Sequence, residues 1–120
     1  RLAWLDEHGF FVALSIDGNR AMHEATRPMR DGSSSFDLVM DNLQVAAGVL
    51  NDYEVIVVPD PSNVRHLADS VAFLADERGV GRISINPNFY IDWPDHTLAT
   101  FAEQFRIIGD YYIERFRHHR

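Results

Sequence analysis

The sequence predicts an α/β fold built from βα units around a parallel sheet. Three observations carry this. Amphipathic helical stretches alternate regularly with short apolar runs. Tyr53-Glu54-Val55-Ile56-Val57-Val58-Pro59 is a nearly continuous β-branched run, as expected for a strand covered on both faces. Gly, Asn, Asp and Pro punctuate each change of period. Three parallel strands leave two open edges, an arrangement that suits half of an α/β barrel better than a complete sheet.

The elements follow in order. Leu2 to His8 reads as the last turns of a helix, stopped by Gly9 as a left-handed cap. Phe10 to Gly18 reads as a buried strand running into a polar turn. Side chains alternate along a strand, so Val12, Leu14 and Ile16 share an aliphatic face. Phe11, Ala13, Ser15 and Asp17 share the other, which turns polar toward its carboxyl end. Ligands of parallel α/β folds bind just outside those ends. Ser15 and Asp17 therefore stand where a ligand is expected, although Asp-Gly is also ordinary turn punctuation.

Asn19 to Ser35 is a long polar connection with room for a helical turn around Ala21 to Ala25. Ser34 or Ser35 is expected to cap the next helix, with Asp37 in its first turn. Its apolar face is read as Phe36, Val39, Met40, Leu43, Ala47 and Leu50. The Tyr53–Pro59 strand and an Asp60-Pro61-Ser62-Asn63 loop come next. A second face follows, Val64, Leu67, Ala68, Val71, Leu74 and Ala75, stopped at Gly79. Arg82 to Asn86 is the third strand, with Ile83 and Ile85 on one face and Ser84 and Asn86 on the other. A loop from Pro87 to Asp95 holds Phe89, Tyr90 and Trp93. Trp93 and Phe89 are read as core for the last helix, with peptide contact as the alternative. Asp95 or Thr97 starts that helix. Leu98, Phe101, Phe105, Ile108, Tyr112 and Phe116 are expected to face inward, with Glu103, Asp110 and Glu114 on an exposed face and His118-His119 at a solvated end.

Composition narrows the function. The 120 residues make one domain or a piece of one. The chain opens with Arg1-Leu2-Ala3-Trp4-Leu5, without an initiator Met, and is expected to belong to something longer. A net charge of −7 disfavours a nucleic-acid backbone as partner. No apolar run is long enough for a membrane span. There is no basic-then-apolar signal segment at the start, and a cytoplasmic setting is the default expectation for a chain without Cys. There is no Cys, which excludes disulfides, thiolate metal sites and thiol nucleophiles within these residues. All eleven basic residues are Arg, so there is no lysine nucleophile either. His23, Asp17 and His96 fit no established metal-binding spacing, and no metal site is expected.

Ser15-Ile16-Asp17-Gly18, followed by His23, Arg27, Gly32 and Ser35-Phe36-Asp37, resembles the fourth-strand region of radical S-adenosylmethionine (SAM) enzymes. The likeness is nearest to the peptide- and protein-maturing branch that includes the anaerobic sulfatase-maturing enzymes. Arg27 stands twelve residues after Ser15, in agreement with that pattern. Val57-Val58-Pro59 with Asn63 looks like the fifth strand and its loop, and Ile83 to Pro87 like the sixth. The resemblance implies that residues 1–120 are the C-terminal half of a partial (β/α)6 barrel domain. It implies an oxidoreductase-type enzyme that cleaves SAM reductively to a 5′-deoxyadenosyl radical and modifies a peptide or protein.

The family's [4Fe–4S] cluster is held by a Cys-x3-Cys-x2-Cys motif, absent here. The cluster ligands are therefore expected in the missing half of the barrel, and this chain alone is expected to be inactive. Arg27 is the candidate partner of the SAM carboxylate, since a guanidinium pairs with it through two hydrogen bonds. Ser15 would offer a hydroxyl, Asp17 would accept from the ammonium or brace the turn, and Asn86 would lie near adenine or substrate. No catalytic residue is assigned. Two other readings stay open: a cluster-free α/β module that binds a peptide through the 87–95 loop, and part of a metal-dependent barrel hydrolase.

Overall fold

The computed structural model describes residues 1–26 and 30–119. Its elements are helix α1 (Leu2–Glu7), strand β1 (Val12–Ser15), α2 (Arg20–Thr26), α3 (Phe36–Val49), β2 (Tyr53–Val57), α4 (Leu67–Ala72), β3 (Ile83–Ile85) and α5 (Asp95–His119). A single 3-10 turn, Val64–His66, leads into α4, and a π turn, Phe73–Glu77, continues it. The three strands form one parallel sheet in the order β1-β2-β3. The expected order of alternating helices and parallel strands is therefore observed.

The sheet is covered on one side. Val55 and Val57 of the central strand are fully buried and pack with Ile16, Met40, Leu43, Leu67, Val71 and Leu74. Complete burial of such a side chain contributes about 1.5–3 kcal/mol. The opposite face holds Ala13, Ser15, Glu54, Ile56, Val58, Ser84 and Asn86, half-buried to exposed. The ladder outlasts the formal strands. Ile16 N–H donates to Ile56 O (3.0 Å), Asn86 N–H to Val57 O (2.9 Å) and Asn88 N–H to Pro59 O (2.9 Å). The polar strand ends are thus held in register.

Several expectations need correction. On α3, Ala46 is buried and Ala47 is exposed. Ser35 occupies the N-cap position but makes no capping bond with its side chain. Its hydroxyl meets His23 Nε2, while Ser34 Oγ accepts the Phe36 N–H.

The larger correction concerns α5. Leu98, Phe105, Tyr112 and Phe116 are 40–65% exposed. Thr97 and Ile108 are buried, and Phe101, Gln104, Tyr111 and Arg115 are half-buried. The inward face is rotated because polar groups there do work that an apolar residue cannot. Gln104 Oε1 accepts the Ala68 N–H (2.7 Å) in the first turn of α4, one of the donors a helix leaves without an internal partner. Arg115 reaches Asp76 and the Tyr111 hydroxyl. Burial and the Asp76 carboxylate raise the Tyr111 pKa above its ordinary value.

This face assignment is testable by urea unfolding. Ile108→Ala is expected to cost about 2–5 kcal/mol, in line with other buried truncations. Tyr112→Ala, expected from the sequence to face inward like Ile108 but 40% exposed, is expected to cost under about 1 kcal/mol.

Candidate functional site

The candidate site lies at the carboxyl ends of β1, β2 and β3, on the uncovered face. Ser15 closes β1 on that face and is exposed. Registry places it beside Ile56, and Ile56 beside Ser84. Ser15 and Ser84 are therefore level across two strand spacings, roughly 10 Å. Asn86 follows β3 on the same face and is exposed.

Asp17 departs from its expected place. It is only 3% exposed, lies between buried Ile16 and buried Gly18, and belongs to the interior of the turn. Bracing of the turn is the role its burial suits. Arg27 lies outside the described residues.

The turn after β1 is closely packed. Gly18 has φ +108°, a conformation that side chains rarely adopt. A Cβ there would collide with the Ser70 side chain of α4 and press on Met22. Ser70 is fully buried, and its hydroxyl accepts the Asn19 N–H (3.0 Å). Asn19 Oδ1 in turn accepts the Met22 N–H (3.0 Å) and starts α2. His23, fully buried on α2, bonds Ser35 (2.8 Å) and meets the edge of the Phe36 ring.

Arg20 pairs with Glu24 and with Asp37 of α3 and lies 4.7 Å over the Phe36 ring. The Ser34 hydroxyl and then the Arg20 guanidinium hold the Glu24 carboxyl below its usual range. The Arg20 pKa is raised, first by Asp37 and then by Glu24.

Two features escaped the reading of the sequence. Glu54 sits on the open face and accepts a hydrogen bond from Ser84 Oγ (2.8 Å); period-two alternation against buried Val55 could have found it. Ser70 had no local signal, because its partner is 51 residues away in sequence.

Other expectations divide. Trp93 is half-buried, packs on Phe101 and donates from Nε1 to Asn88 O (2.8 Å). Phe89 is 71% exposed and Tyr90 fully so, so only Trp93 serves the core. Glu103, Asp110 and Glu114 are exposed and engaged with Arg106 or His118. Among the described residues no group of three His, Asp or Glu is placed to hold a metal ion. Among them, too, no helix is long and apolar enough to cross a membrane.

No family model and no curated protein matches the sequence. Solved structures do match. The structure of anSMEcpe with bound AdoMet superimposes with a TM-score of 0.77 at 18% identity, over 98% of this chain and 34% of that one. The same enzyme with AdoMet and the Cp18Cys peptide gives 0.78 at 18% identity, and with the Kp18Cys peptide 0.76 at 17%; each covers 98% of this chain and 34% of that one. The chain has the fold of about a third of a radical SAM barrel enzyme. It spans about a third of the length of the matched protein.

The turn makes a direct prediction. Gly18→Val is expected to cost about 1–3 kcal/mol through backbone strain alone, with more from the Ser70 collision. Thermal unfolding measures it, and an unchanged midpoint would show that the turn relaxes freely.

Proposed function

We propose that this chain is the C-terminal half of a radical SAM barrel, part of an enzyme that binds S-adenosylmethionine and modifies a peptide or protein. The observation that carries the reading is a superposition over 98% of the chain on an enzyme with AdoMet bound. The Ser15–Arg27 sequence pattern supports it independently.

The residues present suit the amino-acid and nucleoside ends of SAM. Ser15 and Asn86 offer a hydroxyl and an amide at the ends of the two outer strands, on one open face. Arg27 adds the guanidinium for the carboxylate. Asp17 holds the turn rather than the ligand. Bound to a reduced cluster, SAM supplies the radical that removes a hydrogen atom from substrate. This chain's residues orient SAM and help to exclude water. They do not fit the [4Fe–4S] cluster itself, since there is no Cys among the 120. The cluster ligands are assigned to the other half of the barrel.

The matched enzyme has been determined with peptides bound. A peptide or protein substrate is accordingly proposed at the same strand ends, where Phe89, Tyr90 and Ile91 are exposed. Those three residues also favour a second reading, a cluster-free peptide-binding module. A three-Cys motif in the longer polypeptide would decide for the enzyme.

The test is SAM affinity in the cluster-reconstituted longer polypeptide, with circular dichroism as a fold check. Loss of a charge-assisted pair costs about 1.5–3 kcal/mol, roughly ten- to a hundredfold in affinity. Arg27→Ala is expected to weaken SAM binding by that much and Ser15→Ala by less. Arg27→Lys should recover only part, because an ammonium lacks the planar fork. Unchanged affinity in folded Arg27→Ala protein would remove SAM from this strand end.

A further inference from the structure

Helix α5 carries an apolar stripe beside its inward face. Leu98, Ala102, Phe105, Gly109, Tyr112 and Phe116 recur at alternating spacings of four and three, the heptad pattern of a helix–helix seam. All six are exposed. Each lies one residue on from the inward face, about 100° round the helix. The stripe is therefore a lateral face of α5, and it runs for about 27 Å.

Exposure alone does not say what covers such a stripe, but the order of sizes along it does. Let a second copy of α5 lie against the first, turned end for end about a point level with Ile107. Phe105 then meets Gly109 of the second copy, Tyr112 meets Ala102, and Phe116 meets Leu98. Large faces small in the central layers, and the two-fold axis forms every layer twice. Parallel pairing would instead set Phe105 against Phe105 and Gly109 against Gly109. That crowds one layer and leaves a void in another, and close-packed interfaces tolerate neither.

Three further observations agree with the antiparallel pairing. An exposed glycine in the middle of a 25-residue helix weakens that helix. A Cβ on Gly109 would meet nothing within 4 Å, so this chain's own packing does not require glycine there. The notch is open to an incoming ring. Next, an open hollow of about 420 Å³ lies between Tyr112, Ile113, Phe116 and Arg117, where Leu98 of the second copy would enter. Last, the ends of α5 differ in charge. Exposed Asp92 and Asp95 flank its start, and exposed Arg117 and His118 lie at its end. Antiparallel pairing sets the acidic start against the basic end and opposes the two helix dipoles. Near the axis, Arg106 is already paired with Glu103 and Asp110, so two copies of it can lie close together.

We propose that α5 is a dimerisation helix. Two copies of this chain pair antiparallel along the stripe from Leu98 to Phe116, and Phe105 of each fills the notch at Gly109 of the other. SAM binding plays no part in this pairing.

The experiment measures self-association of the full-length polypeptide by sedimentation equilibrium over a series of concentrations, with circular dichroism as a fold check. The unaltered polypeptide is expected to form a reversible dimer. Phe105→Glu and Gly109→Phe are each expected to weaken it by about thirtyfold or more, the loss of a central interface anchor. Gly109→Phe has open space in its own chain, so the folded monomer should survive it. Phe105→Ala joined to Gly109→Phe exchanges the large and small members of the layer and should recover most of the affinity. A different occupant of the stripe would not be restored by that exchange. Dimerisation also makes stability depend on concentration, so the small urea cost of Tyr112→Ala should grow as the protein concentration rises.

A polypeptide that stays monomeric throughout would overturn the inference. A lower thermal midpoint for monomeric Phe105→Glu would then put the stripe beneath another part of the same polypeptide, and an unchanged midpoint would leave it to a different protein. A dimer indifferent to Gly109→Phe would overturn the inference as well, and so would a double variant no tighter than Gly109→Phe alone.

Discussion

The structure depends on burying one face of a short parallel sheet. Val55 and Val57 of the central strand, with Ile16 beyond the end of β1, are the residues that the helices must cover. Hydrophobic burial is the dominant favourable term in folding, and it is not directional. Direction comes from the backbone ladder, which holds Leu14 beside Val55 and Val57 beside Ile85. Once the aliphatic face is covered, alternation leaves Ser15, Glu54, Ser84 and Asn86 on the other side. The polar composition of the candidate site is thus a by-product of where the core lies.

The crossover from β1 to α3 shows how a weak helix can be made definite. Asn19 starts α2, Ser70 anchors the turn before it, and His23 and Arg20 tie it to α3. The close approach of Gly18 to Ser70 permits this arrangement. A larger residue at 18 would hold the strand end and α4 apart. These contacts give Asn19, Arg20, His23 and Ser35, which look loop-like in sequence, a place in the fold.

The likeness to anSMEcpe at 17–18% identity concerns backbone architecture. Radical SAM chemistry needs a cluster that these residues do not hold. Phe89, Tyr90 and Ile91 are exposed, and the sheet face opposite the core is half-buried to exposed.

The sequence by itself determined the parallel βα order, the three strands and their two faces. It did so because period-two and period-3.6 patterns are local and are imposed by burial of one side. It also marked Ser15 and Asn86, since position along a strand and choice of face are both local properties. Only the tertiary structure decided the rest. Asp17 is interior to the turn, between buried Ile16 and buried Gly18. Ser35 gave its hydroxyl to His23 rather than to its own helix. The inward face of α5 rotated onto Thr97, Gln104 and Arg115. The Ser35 and α5 outcomes rest on hydrogen bonds between residues apart in sequence, such as Ser35 with His23 and Gln104 with the Ala68 N–H. Hydrophobic periodicity carries no record of such bonds, because a buried polar side chain and an exposed one look the same in the chain.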